Sequence, residues 1–130
     1  MNTKTQREID AVLRLDGPAR FRHFIKQVVD REETWGLWEN GWALMENENG
    51  VPVLPLWPAR EYAELNRVGE WARYEPAPIP LNELLEELLP RVASQGALLG
   101  VFPTPAGKGV ALDVEELSSA LRAYEVENYG

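Results

Sequence analysis

Residues 97–102, Ala-Leu-Leu-Gly-Val-Phe, run without a single polar side chain. A run this short, with no alternation, reads as a strand covered on both faces. Such a strand needs neighbours within a sheet and packed elements above and below it. Residues 51–57, VPVLPLW, repeat the plan, and both runs end on an aromatic-proline pair, Trp57-Pro58 and Phe102-Pro103. The connection between them contains helices, which permits the two strands to lie parallel with both following loops at one carboxyl edge. Pro52 and Pro55 place the first of these strands at an edge of the sheet or bend it.

Amphipathic helices surround these runs. Residues 3–15 put Ile9, Val12, Leu13 and Leu15 on one helical side and stop at Asp16-Gly17-Pro18. Phe21, Phe24, Ile25, Val28 and Val29 then recur at helical spacing, with Asp16 as cap and Pro18 in the first turn. Pro58 opens a third helix with Tyr62 and Leu65 on its inner side and Gly69 beyond its end. An extended connection, WARYEPAPIP, leads to a Leu-rich helix in which Leu81, Leu84, Leu85, Leu88, Leu89 and Val92 face inward and Pro90 ends or kinks the rod. A short strand, GVALD, precedes the last helix, which opens on a capping box made by Asp113 and Glu116.

The stretch WGLWENGWALMEN, residues 35–47, sets three tryptophans around one Asn-Gly. Asn-Gly between strand-forming runs predicts a hairpin. A three-residue loop with Gly41 left-handed sets Trp38 opposite Trp42, and this register avoids pairing Glu39 with an indole. The hairpin is expected to be structural, with Trp35, Leu37 and Leu44 buried and at most one of Trp38 and Trp42 exposed.

With 130 residues, 45% of them apolar and 26% charged, the chain fits one globular domain, 1–130, made of a helical N-terminal segment, 1–31, and a mixed-sheet body, 34–130. It contains no cysteine, which excludes disulfides, thiolate zinc sites and cysteine nucleophiles and points to a reducing compartment. The polar N-terminus and the lack of any long apolar run predict a soluble cytoplasmic protein that makes no use of a membrane. Residues 1–31 hold seven Lys or Arg against four Asp or Glu, and the remainder six against seventeen. Such an acidic body repels phosphate backbones, so no nucleic-acid partner is expected.

Recognisable catalytic patterns fail one by one. His23 is the sole imidazole, and Ser94, Ser118 and Ser119 sit in helical contexts rather than on a nucleophile elbow. Gly107-Lys108-Gly109 lacks the upstream glycine, because Phe102 stands there, and the hydroxyl residue a phosphate loop needs. Residues 45–50 lack the acidic spacing of a calcium loop, and Glu83, Glu86 and Glu87 form a solvated helix face. No catalytic residue, metal ligand or cofactor is therefore assigned.

Three segments carry a resemblance: WGLWENGWALMENENGVPVLPLWPAREYA, GEWARYEPAPIPLNELLEELLP and GVFPTPAGKGVALDVEELSSAL. Together they make the chain similar to the bacterial family called domain of unknown function 2750. More distantly, the order of elements resembles the N-terminal domain of SseB-type proteins. The first resemblance implies a compact α+β domain and carries no activity, cofactor or catalytic residue with it.

The fold expected is thus α+β, two N-terminal helices followed by a mixed sheet of about five or six strands with helices packed on it. Three functions are weighed. The first is a non-enzymatic interaction or adaptor module with a protein partner. The alternative is a small anionic-ligand binding domain, and the third is a carboxylate-dependent enzyme. For the ligand reading the candidate edge is Trp57, Arg60, Phe102, Thr104 and Lys108, where a helix start and two cations would meet an anion.

Overall fold

The computed structural model describes residues 5–107 and 109–130. Helix α1 (Gln6–Leu13) starts on Thr5, which forms a capping box with Glu8. Helix α2 (Gly17–Arg31) starts on Asp16, whose carboxylate accepts the Ala19 amide at 2.8 Å, with Pro18 in the first turn. Phe24, Ile25, Val28 and Val29 of α2 and Ile9 of α1 are buried, as the three-and-four spacing requires. Glu32 ends α2 in the left-handed conformation and turns the chain into β1 (Glu33–Trp38).

After β1 come β2 (Met45–Glu46), β3 (Pro52–Leu56), α3 (Arg60–Leu65), a 3-10 turn (Gly69–Trp71) and β4 (Glu75–Pro80). One continuous helical rod follows in three segments: α4 (Leu81–Glu83), a π-helical turn (Leu84–Leu88) and α5 (Leu89–Ser94). Strands β5 (Leu98–Val101) and β6 (Val110–Leu112) precede α6 (Val114–Tyr129), which opens on the Asp113 and Glu116 capping box. Strands β2, β3, β5 and β6 form a four-stranded sheet in that order, with β3 and β5 parallel and the other pairs antiparallel. Strands β1 and β4 form a separate antiparallel pair, fastened to the larger sheet where Trp35 and Trp57 exchange both backbone hydrogen bonds at 2.8 Å. The fold is α+β. Its core gathers Leu54, Leu56, Leu99 and Val101 from the sheet with Val28, Leu84, Leu89, Leu117 and Leu121 from the helices.

The main partner of β1 differs from expectation. Of the predicted hairpin only the Trp38 and Trp42 bridge forms, with the Ala43 amide bonding the Leu37 carbonyl, and Asn40 rather than Gly41 takes the helical left-handed conformation. β1 spends its length instead on β4, whose sequence Glu-Pro-Ala-Pro-Ile-Pro looks hostile to a strand. Register explains the tolerance. Trp35 turns its own N–H and C=O toward Trp57, so it cannot bond Pro78 opposite it, and Pro76 and Pro80 share that parity. The missing donors of all three prolines point away from β1, while the Leu81 amide, of the other parity, donates to the Glu32 carbonyl at 2.8 Å.

Strand β3 is interior rather than an edge, despite Pro52 and Pro55. Its even residues face β5, since the Leu56 carbonyl accepts the Phe102 amide, and its odd residues face the β1 and β2 side. There Trp57 meets Trp35 and Val53 meets Met45, and between them the chain leaves the sheet through residues 38–44. Pro55 falls opposite that excursion, at the one place on this side where no strand asks for its N–H.

Pro90 neither ends nor breaks its helix. The rod widens into a π turn just before it, with the Leu89 amide donating to the Leu84 carbonyl five residues back, which relieves the crowding that proline causes in a tight helix. The same turn keeps Leu84, Leu88, Leu89 and Val92 all buried. On α3 the inner side carries Tyr62, Ala63 and Asn66, and Leu65 is exposed, a correction of one residue in phase.

Candidate functional site

The 38–44 excursion shapes a largely apolar opening in the surface. Its walls are Trp42 and Leu44 from the excursion, Leu54 from β3, and Leu88, Arg91, Val92, Gln95 and Ala97 from the rod and the turn after it. The enclosed space is about 190 Å³. Leu54, Leu88 and Val92 are buried and make the floor, whereas Leu44 is 54% exposed at the rim. Leu44 was expected inside, and the reason it is not is the lost hairpin arm: a residue outside any strand has no sheet face to turn inward.

Gly36 positions the groove. A Cβ there would lie 2.9 Å from the Trp42 ring, so only glycine lets that indole fold back over β1. Trp38 then meets Trp42 edge-on, with ring centroids 4.8 Å apart, and remains 45% exposed. Among the described residues Arg91 supplies the groove's only charge and takes part in no ion pair.

At the carboxyl edge the two strands are parallel, with Leu56 beside Val101, so Trp57 and Phe102 do leave the sheet side by side. Both rings are withdrawn into the core, at 0% and 1% exposure. The Trp57 indole N–H donates to the Pro103 carbonyl at 2.7 Å, and Phe102 packs on Tyr62 at 4.8 Å under the Arg20 guanidinium. Phe102 holds φ 58°, a strained setting for a bulky residue, and Gly109 is pressed against its backbone. Arg60 stands in solvent, 3.9 Å from Glu64. Helix α3 is only six residues long, too short for much of a dipole at its start. Thr104 lines a hollow with Asn66, Val68, Glu70, Trp71 and Pro105. Lys108 lies outside the described residues.

The remaining reactive groups have local roles. His23 packs near the Tyr62 and Phe102 rings at 6.5 and 6.3 Å. The Ser94 hydroxyl donates to the Arg91 carbonyl, and Ser118 accepts from Arg122. Among the described residues no three His, Cys, Asp or Glu side chains are grouped to hold a metal ion, and no helix is long and apolar enough to cross a membrane.

The groove residues of the rod escaped the sequence reading because Leu88 and Val92 follow the core stripe of their helix. Only the excursion, which leaves them uncovered at one end, turns that stripe into a wall.

These features define an α+β protein with an aromatic-lipped surface groove on one side and a closed aromatic corner at the carboxyl edge. The chain belongs to the family described as Protein of unknown function (DUF2750), whose profile matches residues 21–121, from within α2 to within α6 and including both regions. No curated protein matches the chain.

Proposed function

We propose that the chain is a non-enzymatic protein-interaction module of the cytoplasm, and that the groove beside the 38–44 excursion receives an apolar side chain of a partner segment flanked by a carboxylate. The reading rests chiefly on one observation: Trp42 and Leu44 form an apolar lip over a buried floor, with Arg91 as its only charge among the described residues. Apolar pockets with a single polar anchor suit a side chain inserted from outside. A carboxylate on the partner complements Arg91, and the net charge of −8 opposes a second copy of the same chain as the occupant. The location follows from a composition without cysteine, which fits a reducing compartment.

Selection from a random peptide library on the immobilised protein tests it. Expected are sequences with a large apolar residue next to Asp or Glu, whose binding is lost in Leu44→Asp and weakened in Arg91→Glu. Failure to enrich any sequence, or enrichment indifferent to both substitutions in folded variants, refutes the proposal. Self-association at the groove, read by sedimentation and abolished by Leu44→Asp, would assign it to a second copy instead and also refutes it.

A further inference from the structure

The hollow beside Thr104 carries a second, independent site. Its volume is about 250 Å³, and its walls are Asn66, Val68, Glu70, Trp71, Thr104 and Pro105. Asn66 is the telling residue, because it is 95% buried and yet polar. Its Nδ2 donates to two carbonyls, Tyr62 at 2.8 Å and Pro103 at 3.4 Å. Two acceptors on that side fix which end of the amide is nitrogen. The oxygen, Oδ1, is thereby turned the other way. Among the described residues it receives no hydrogen bond, and the hollow is the space its residue lines. That oxygen is not among the buried atoms that lack a partner, so solvent reaches it, and an amide oxygen held in place by its own nitrogen is an acceptor that an entering donor can use.

The other walls agree on the sign of the missing partner. Among the described residues, Glu70 is the only charged side chain lining the hollow. Trp71 offers an indole fixed edge-on against the buried Trp57, with ring centroids 6.2 Å apart. Pro105 has no N–H to give, and Val68 is apolar. Arg67, the cation nearest in sequence to Asn66, is already bound by Glu64 at 2.7 Å and faces Glu75 at 3.5 Å. Among the described residues, a phosphate or carboxylate entering here would meet a carboxylate and an amide oxygen with no charged donor. An ammonium would meet a carboxylate, a carbonyl-type acceptor and an aromatic ring, the three groups that recognise organic cations.

We infer that the hollow lined by Asn66, Glu70, Trp71 and Thr104 binds an organic ammonium group, with Asn66 Oδ1 and the Glu70 carboxylate as acceptors and the Trp71 indole as its aromatic wall. This ligand is opposite in charge to the anion that Arg60 and Lys108 lead one to expect at the same edge. It is separate from the groove beside Leu44, and either site stands if the other fails.

The test is a titration followed through the Trp71 indole N–H resonance, assigned with a Trp71→Phe variant. The probes are Nα-acetyl-lysine amide, its neutral isostere Nα-acetyl-norleucine amide, methylammonium and sulfate. Expected is a saturable shift with the lysine probe, none with norleucine or sulfate, and an affinity about fivefold weaker in Glu70→Gln, an exposed change that leaves the core untouched. Methylammonium binding as well as the lysine probe identifies free amines as the ligand, and a lysine probe that binds more tightly identifies a protein side chain. No saturable shift with either cation, an equal shift with norleucine, or an unchanged affinity in Glu70→Gln overturns the assignment.

Discussion

Two corners of this molecule are built from the same materials and behave in opposite ways. Trp57 and Phe102 at the carboxyl edge are 0% and 1% exposed, while Trp38 on the excursion is 45% exposed with its neighbour Trp42 half-covered. Both corners stand at strand ends and both carry aromatic rings. The difference lies in the range of their contacts. Trp57 bonds through its indole to Pro103, 46 positions along the chain, and through its backbone to Trp35. Trp38 pairs through its backbone with Glu75 of β4, but its ring packs on that of Trp42, four positions away. Aromatic residues become core where distant elements close over them, and surface where their partners are local.

The comparison is broken most directly by truncating one ring in each corner. Trp57→Ala should cost about 3–5 kcal/mol in urea unfolding, through the cavity it leaves and the loss of the 2.7 Å bond to the Pro103 carbonyl, which keeps only the longer one from Asn66. A loss under about 1 kcal/mol would mean that the closed corner does not hold the two sheets together. Gly109→Ala tests the same corner through the backbone. Its Cβ would sit 2.4 Å from the Val101 carbonyl oxygen at φ 77°, so a loss of about 1–3 kcal/mol is expected.

In the open corner, Trp38→Ala should cost only about 1 kcal/mol, the worth of one edge-on aromatic pair and some half-covered area. Gly36→Ala is sharper still. It pushes the Trp42 ring off β1, and because that ring has solvent to swing into, peptide binding at the groove should fall more than stability does. Equal stability losses from Trp38→Ala and Trp57→Ala would erase the distinction between the corners.

The smallest effect is an alkaline one. Burial in the closed corner pushes the Tyr62 hydroxyl up to about 12, with Glu61 and Glu8 adding to it. Its unfolded value is 10.0, so the contribution of Tyr62 is whole below that pH and is lost as the pH rises through about 12. Tyrosinate absorbance should therefore show a component titrating near 12 that is absent in Tyr62→Phe. Full titration of all tyrosines near pH 10 would show that the corner is open to water.

Much of this was legible in the chain. Asp16, Pro18, Asp113 and Glu116 marked helix starts because capping is local chemistry, satisfied within three residues. The parallel pairing of β3 with β5 followed from the helices between them. The Trp38 and Trp42 bridge was also readable, for cross-strand aromatic pairing is a short-range preference. What escaped was decided at a distance. Nothing near Trp35 announces that its partner is Pro78, 43 positions away, nor that Pro55 will fall opposite a gap. Leu44 looked buried because the alternation assumed a strand whose place beside Trp35 is taken by Trp57. At the carboxyl edge the side-by-side exit of Trp57 and Phe102 was foreseeable, whereas the hollow around Asn66 was not, since it depends on the direction of one amide.

The alternating prolines of β4 have a last consequence, for what the molecule does in a crowd. A free strand edge normally offers a row of amides on which another chain can nucleate, the first step toward cross-β fibrils. Pro76, Pro78 and Pro80 put a tertiary nitrogen at every position of β4 that faces away from β1, and Pro78 and Pro80 stand exposed. That border can accept hydrogen bonds but donates none from the strand itself, so an incoming strand finds half of its ladder missing and the sheet stops growing there.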